Sequence, residues 1–319
     1  MITLTMRPYA GETDLETIAH LLNICEEVDR LDKGMSISEL RTEFNSPSVD
    51  LARDVRLWED SDGKLIGFAH LFVPESGEVV DGALFYRVHP HFRNKDLEKQ
   101  IFAWAEETMR EIGRDRNVQV KLGCNARNDA PYYIDVAENN GYRADRYFYQ
   151  MKRSLVEPIP EPQFPEGFSL LAAAGHQDAE AFVQMYNQTF IDHWNHHDLT
   201  VERAKYTLIK PNYRPEFDLV AVAPDRTFAA FCFCMIYPED NQRNGRNEGW
   251  VASIGTRRGF RKMGLARAML LTGMQRLKAA GMDTAKLGVD TQNPNNALRL
   301  YESVGFEKAE TWVYYVKDL

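Results

Sequence analysis

The chain has 319 residues, a formal net charge of −9, and 44% hydrophobic and 11% aromatic residues. That is ample apolar material for packed cores and more chain than one average domain, so two domains of roughly 150 residues are expected. The acid excess excludes a general nucleic-acid binder, and no apolar run approaches the ~20 residues that a membrane helix needs.

The N-terminal Met-Ile-Thr-Leu-Thr-Met-Arg-Pro has neither the basic start nor the long apolar segment of a signal peptide. Cys25, Cys124, Cys232 and Cys234 offer no metal-ligand spacing and read as buried free thiols of a reducing compartment, so a cytoplasmic protein without metal is expected. No membrane or nucleic-acid partner is expected either.

In chain order, Ile2–Arg7 alternates as a short strand. Asp14–Arg30 and Ser38–Phe44 carry helical spacing. Asp54–Trp58, Leu65–Val73 and Val79–Val88 read as consecutive strands separated by turn residues. Leu97–Ile112 is a helix, Val118–Leu122 a strand, Pro131–Asn139 a helix and Tyr147–Lys152 a closing strand. Val156–Gly167 holds four prolines and reads as an extended, stiff linker.

After the linker the order repeats. Phe168–Leu171 is a strand, Asp178–Ile191 and Thr200–Ile209 are helices, and Phe217–Ala223, Phe228–Tyr237 and Trp250–Thr256 are strands. A helix over Leu265–Ala280 stops at Gly281. Ala285–Val289 is a strand, Pro294–Val304 a helix and Trp312–Val316 the last strand. Val88-His89-Pro90-x-x-Arg93 lines up with Thr256-Arg257-Arg258-x-x-Arg261, and Gly141-Tyr142 with Gly305-Phe306. Two copies of one unit are therefore expected, over 1–155 and 168–319 with 156–167 between them.

The stretch Thr256–Ala266 joins a strand to the long helix by a basic loop that contains glycine. At such a helix start the first amides have no carbonyl partner and the helix dipole favours negative charge. Gly264 lets a large anion approach the backbone, while Arg257, Arg258, Arg261 and Lys262 raise the local potential, which suits a pyrophosphate.

The spacing Arg261-x-x-Gly264-x-Ala266 resembles the acyl-CoA diphosphate loop of the GNAT N-acetyltransferase superfamily. Asn293-Pro294-Asn295-Asn296-Ala297-Leu298-Arg299-Leu300-Tyr301, followed by Gly305-Phe306, resembles its second signature with one extra residue between Asn293 and Ala297. The resemblance covers about half of the C-terminal copy. It implies an α/β (more strictly α+β) fold of two tandem GNAT-like domains, each with a mixed, mostly antiparallel sheet of about six or seven strands flanked by helices.

The resemblance further implies acetyl-CoA as cosubstrate, with Arg261, Lys262, Met263, Gly264, Leu265, Ala266 and Arg267 around its diphosphate, Asn293 and Asn296 nearby, and the backbone of Ile254, Gly255 and Thr256 along its pantetheine arm. Tyr301 would protonate the departing thiolate, and Glu248, at the start of the strand feeding the loop, would be the base. Glu239 and Asp240 in the hairpin before it are further acidic candidates. Asp192-His193-Trp194-Asn195-His196-His197 reads as a polar loop over the acceptor pocket rather than a metal site.

The first copy departs from the pattern. Asp96 and Glu98 stand where the family has small residues, and Ala137 stands where the second copy has Tyr301, so this copy is expected to serve as a scaffold or a wall of the acceptor site. The functional expectation is an N-acyltransferase acting on a small-molecule or peptide amine, as a monomer or homodimer. The alternatives are a non-catalytic acyl-CoA sensor or scaffold and, more remotely, a nucleic-acid phosphate site at 257–262.

Overall fold

The computed structural model describes residues 4–319 apart from Ser76, Lys95, Ala173, Ala174, Pro211 and Asn212. Ile2 and Thr3 of the expected first strand and Lys95 of the first loop lie outside the described residues. In chain order the first half forms β1 (Thr5–Pro8), α1 (Glu12–Asp29), α2 (Ile37–Phe44), the single turn α3 (Leu51–Asp54), β2 (Val55–Glu59), β3 (Leu65–Phe72), β4 (Val79–Val88), α4 (Leu97–Arg116), β5 (Gln119–Arg127), α5 (Pro131–Asn139) and β6 (Arg143–Ser154). The second half forms β7 (Ser169–Ala172), α6 (Ala179–Phe190), α7 (Val201–Leu208), β8 (Asp218–Val222), β9 (Phe228–Ile236), α8 (Pro238–Asn244), β10 (Glu248–Thr256), α9 (Leu265–Ala279), β11 (Thr284–Asp290), α10 (Ala297–Ser303) and β12 (Glu307–Asp318).

The chain divides into two compact units, Met1–Tyr147 with Trp312–Leu319, and Phe148–Thr311. In the first unit β1, β2, β3, β4 and β5 follow one another, and the end of β12 pairs antiparallel with β5 from Trp312 opposite Arg127 to Asp318 opposite Lys121. In the second unit β7 to β11 follow one another, and the end of β6 pairs antiparallel with β11 from Phe148 opposite Asp290 to Ser154 opposite Thr284. Each sheet has one parallel pair, β4 with β5 and β10 with β11, joined by the crossing helices α4 and α9.

The unit boundary thus lies inside β6 and not in the proline segment, as the expected borders at 155 and 168 had it. The reason is pairing. Residues 148–154 belong to the sheet of the second unit, and the segment after them is tied down there: Lys278 donates to the carbonyls of Val156 and Glu157 at 3.1 Å, and Arg153 to that of Pro158 at 3.0 Å.

Local sequence explains most elements. Leu97, Ile101, Ala105, Met109 and Ile112 recur at helical spacing and are all buried along α4. Ser36 and Glu39 close a capping box at the start of α2. β3 is buried at seven of its eight residues, as a strand covered on both faces must be.

Two helices went unexpected, the single turn α3, which takes Asp54 from the start of the expected strand, and α8. Tyr237–Asn244, read as part of a hairpin, contains α8, with Pro238 in its first turn and Glu239 and Asp240 beside it, as helix starts favour.

Trp312–Leu319 is built into the first unit by side chains as well. Tyr314 donates to Asp81 at 2.8 Å and lays its ring over Gly123, where a methyl group would overlap it. Because that ring is anchored, Gly123→Ala should cost roughly 3 kcal/mol, the upper end of the usual overpacking range, measured by urea unfolding.

Candidate active site

The site begins where two parallel strands part. β10 and β11 pair from Glu248 opposite Thr284 to Val251 opposite Leu287 and no further. At Ala252 β10 bulges, so that Val251 faces Cys234 while Ser253 faces Phe233. Beyond it β10 stays with β9 as far as Thr256, and β11 stays with β6 as far as Asp290. The facing edges lose their partners and a cavity of about 880 Å³ opens, with Ile254, Gly255 and Thr256 on one side and Val289 and Asp290 on the other. An unpaired strand edge is a row of donors and acceptors for an extended ligand.

The start of α9 lies at the same cavity. Its N-cap is Gly264 at φ 88°, with no side chain capping the helix, and Lys262 is also left-handed at φ 67°. A Cβ on Gly264 would meet nothing within 4 Å, so the space before the helix is open. The first amide with an intrahelical bond is that of Ala268, to Gly264 at 3.1 Å. Among the described residues, the amides of Leu265, Ala266 and Arg267 have no partner in the chain, which is the arrangement that binds anions. Arg261, Lys262, Gly264, Leu265, Ala266 and Arg267 all line the cavity, whereas Met263 is exposed and does not.

Arg261 is committed elsewhere than the sequence suggests. Its guanidinium bonds the carbonyl of Thr189 at 2.9 Å, the Asp192 carboxylate at 3.0 Å, the Asn295 side chain at 3.2 Å and the carbonyl of Thr256 at 3.4 Å. Arg258 pairs with the same Asp192. Hydrogen bonds from Arg261 and then Arg258 hold this carboxyl below the usual range. Two of the four cations credited to the loop are thus matched by an acid, and Arg261 acts as a strut between the end of α6 and the turn before α10.

The first unit repeats that strut. Arg93 bonds the carbonyl of Val88 at 3.3 Å and makes two bonds to Asp29, at 2.7 and 2.6 Å. The aligned arginines of the two copies therefore do the same structural task. Each needs an acid near the end of its copy's first long helix, Asp29 or Asp192, a pairing that the repeat alignment could have revealed.

Tyr301, 7% exposed, lines the cavity from α10 with its ring edge-to-face against Phe306. Burial first, and then the charge that Cys232 would carry, push its phenol well above its ordinary range, so it stays protonated. Asn293 and Asn296 line the same cavity. Asn293 accepts from the Asn295 amide at 2.9 Å, and Asn296 is the left-handed N-cap of α10, so both shape the turn. That turn takes up the residues expected to open the helix, which begins at Ala297.

Glu248 is not brought to this cavity. It stands at the far end of β10, where its carboxylate meets Lys286 at 3.2 Å and Arg246 at 3.4 Å and its backbone is tied to Asn241 of α8. Glu239 and Asp240 lie on α8 and do not line it either. His193 does. Its Nδ1 lies 2.8 Å from the carbonyl of Trp194, which can only accept, so Nδ1 carries a proton and Nε2 is the ring nitrogen left to face the cavity's chemistry. His196 pairs with Asp198 at 3.0 Å and His197 with Asn195 at 2.9 Å. Among the described residues, no group of three or more His, Cys, Asp or Glu is placed to hold a metal ion, and no helix is long and apolar enough to cross a membrane.

In the first unit the corresponding loop carries two acids that bond within the chain. Asp96 takes the left-handed N-cap position of α4 at φ 66° and pairs with Lys99. Glu98 turns inward and accepts from the Asn94 amide and the Tyr132 hydroxyl, both at 2.8 Å. Its carboxylate thus places a negative charge on the loop, at the amide aligned with that of Lys262. Ala137, in place of the tyrosine, is fully buried.

The model of the acetyltransferase (GNAT) family matches residues 179–306. The chain is 29% identical over 316 residues to the mycothiol acetyltransferase of Thermobispora bispora, covering 98% of this chain and 99% of that protein. It is 30% identical over 271 residues to the mycothiol acetyltransferase of Salinispora arenicola, covering 81% and 80%. Among solved structures, the tandem GNAT protein from the clavulanic acid biosynthesis pathway superposes with a TM-score of 0.73 at 14% identity over 99% of this chain and 98% of that one, a likeness of fold.

Proposed function

The chain belongs to the acetyltransferase (GNAT) family, and from that premise we propose that it moves the acetyl group of acetyl-CoA onto the primary amine of a small molecule, with the chemistry in the second unit. The observation that carries this reading is the meeting, in one cavity, of the unpaired edge of β10, the uncapped start of α9 and the protonated Tyr301. The amides of Leu265, Ala266 and Arg267, helped by Lys262, bind the diphosphate. The edge from Ile254 to Thr256 bonds the amides of the pantetheine arm.

A neutral amine then attacks the thioester carbonyl directly. The C–N bond forms, the C–S bond breaks, and Tyr301 gives its proton to the leaving thiolate. The proton shed by the attacking nitrogen goes to Nε2 of His193, which replaces Glu248 as the proposed base because it lines the cavity and Glu248 is held by Lys286. In the first unit Glu98 and Ala137 oppose the same chemistry. The name shared by the relatives supports a small-molecule acceptor.

The test is release of free thiol from acetyl-CoA by the purified protein across a panel of amines. Amine-dependent release supports the reading, and tight acetyl-CoA binding with no release by any amine defeats it. His193→Gln should lower kcat roughly 10²-fold with unchanged acetyl-CoA affinity, while Glu248→Gln keeps its turnover. The opposite pattern would return the base role to Glu248.

A further inference from the structure

Beside the main cavity, a second one of about 180 Å³ lies between α6, α7 and the sheet of the same unit. Its walls include Phe182, Tyr186, Leu208, Phe231 and Phe233, and one carboxylate, that of Asp218, opens into it. We propose that this pocket takes the far end of the acceptor, and that Asp218 holds a second, positively charged nitrogen there, so that the substrate is an amine bearing a separate ammonium across an apolar spacer. The inference rests on the acetyl-transfer reading and names the substrate class for it.

Asp218 is 5% exposed. Its Oδ2 accepts from the Tyr213 hydroxyl at 2.9 Å, and among the described residues no other protein group bonds or ion-pairs with it. A buried carboxylate with a single neutral donor is costly to keep charged, and burial pushes this one up to about 6 against the opposing bond from Tyr213. The titratable groups around it are Tyr213, Tyr186 of α6 and Cys232 of β9, none of them a cation. Above that pH the pocket therefore offers an unmatched negative charge at the end of an aromatic and aliphatic slot. An ammonium on a hydrocarbon chain meets both demands.

Register fixes which nitrogen reacts. Asp218 lies opposite Phe233, and Phe233 opposite Ser253, so the three form one row across three adjacent strands. Ser253 lines both cavities, at the bulge where β10 leaves β11. Two strand spacings, roughly 10 Å, separate Asp218 from that edge. An ammonium seated on Asp218 is too far away to be the nucleophile, so a second nitrogen must reach the edge. Allowing ~2.8 Å for the ion contact leaves roughly 7 Å between the two nitrogens, about the reach of a five- or six-carbon diamine.

The experiment compares hexane-1,6-diamine with 6-aminohexan-1-ol, equal in length but neutral at the far end, in acetyl-CoA turnover and in calorimetry without acetyl-CoA. The wild-type protein should prefer the diamine in kcat/KM by roughly tenfold or more, the usual weight of one charged contact. Asp218→Asn should erase that preference by weakening the diamine alone, with acetyl-CoA affinity unchanged. The preference should also fade as pH falls through about 6, where the carboxyl takes up its proton.

Equal use of the two amines by the wild-type protein, or a preference that survives Asp218→Asn, would overturn the inference without relying on the variant alone. Acetyl-CoA binding with no calorimetric binding of the diamine sinks the pocket and spares the acetyl-transfer reading. Asp218-dependent diamine binding without any binding of acetyl-CoA does the reverse.

Discussion

Gly264→Asp should weaken acetyl-CoA binding severely while leaving a folded protein. The substitution is one the chain itself has made, for Asp96 holds the equivalent left-handed N-cap of α4 at φ 66°. A Cβ at 264 meets nothing within 4 Å, and aspartate tolerates this backbone region better than most residues, so the cost to folding is about 1 kcal/mol. The cost to the ligand is larger. A carboxylate about 4 Å from one phosphate charge, at the effective dielectric of a protein surface, opposes binding by about 4 kcal/mol, or roughly 10³-fold in affinity.

Gly264→Asn separates charge from shape, since it has the same size and conformational tolerance without the charge. It should lose far less affinity. Calorimetric titration with acetyl-CoA on the three proteins decides it, and equal losses for Asp and Asn would mean that the backbone approach and not repulsion governs the loop.

Tyr301→Phe should lower turnover by roughly 10²-fold or less with little change in acetyl-CoA affinity, the pattern of an interaction made in the transition state. Tyr301 packs edge-to-face on Phe306 and is buried, so phenylalanine keeps its shape and the fold. Because burial raises the phenol above its ordinary range, its ionisation should not appear in the pH–rate profile below about 10, the unperturbed value for tyrosine. An unaltered kcat in the variant would remove Tyr301 from the acid role.

The parts of the site legible in the sequence were those set by neighbours in the chain. The glycine at 264 that lets an anion approach, the helix start at α9 and the Tyr301 face of α10 all follow from short-range spacing. What escaped depends on partners far along the chain. The Asp192 that engages Arg258 and Arg261 comes from beyond α6, and the row joining Asp218 to Ser253 exists only through strand register. Glu248 lies outside the cavity because β10 lines it only from Val251 onward, where the strand parts from β11, which counting along a strand does not reveal. The division between the units was misplaced for a similar reason: four prolines mark an irregular segment but say nothing about which sheet receives β6.

The last residues of the chain finish the sheet of the first unit. During synthesis that unit therefore waits, with the β5 edge open, until residues 312–319 have been made. Loss of Trp312–Leu319 should harm the unit that is made first, and a protease cut among the prolines would leave neither fragment with a full set of strands.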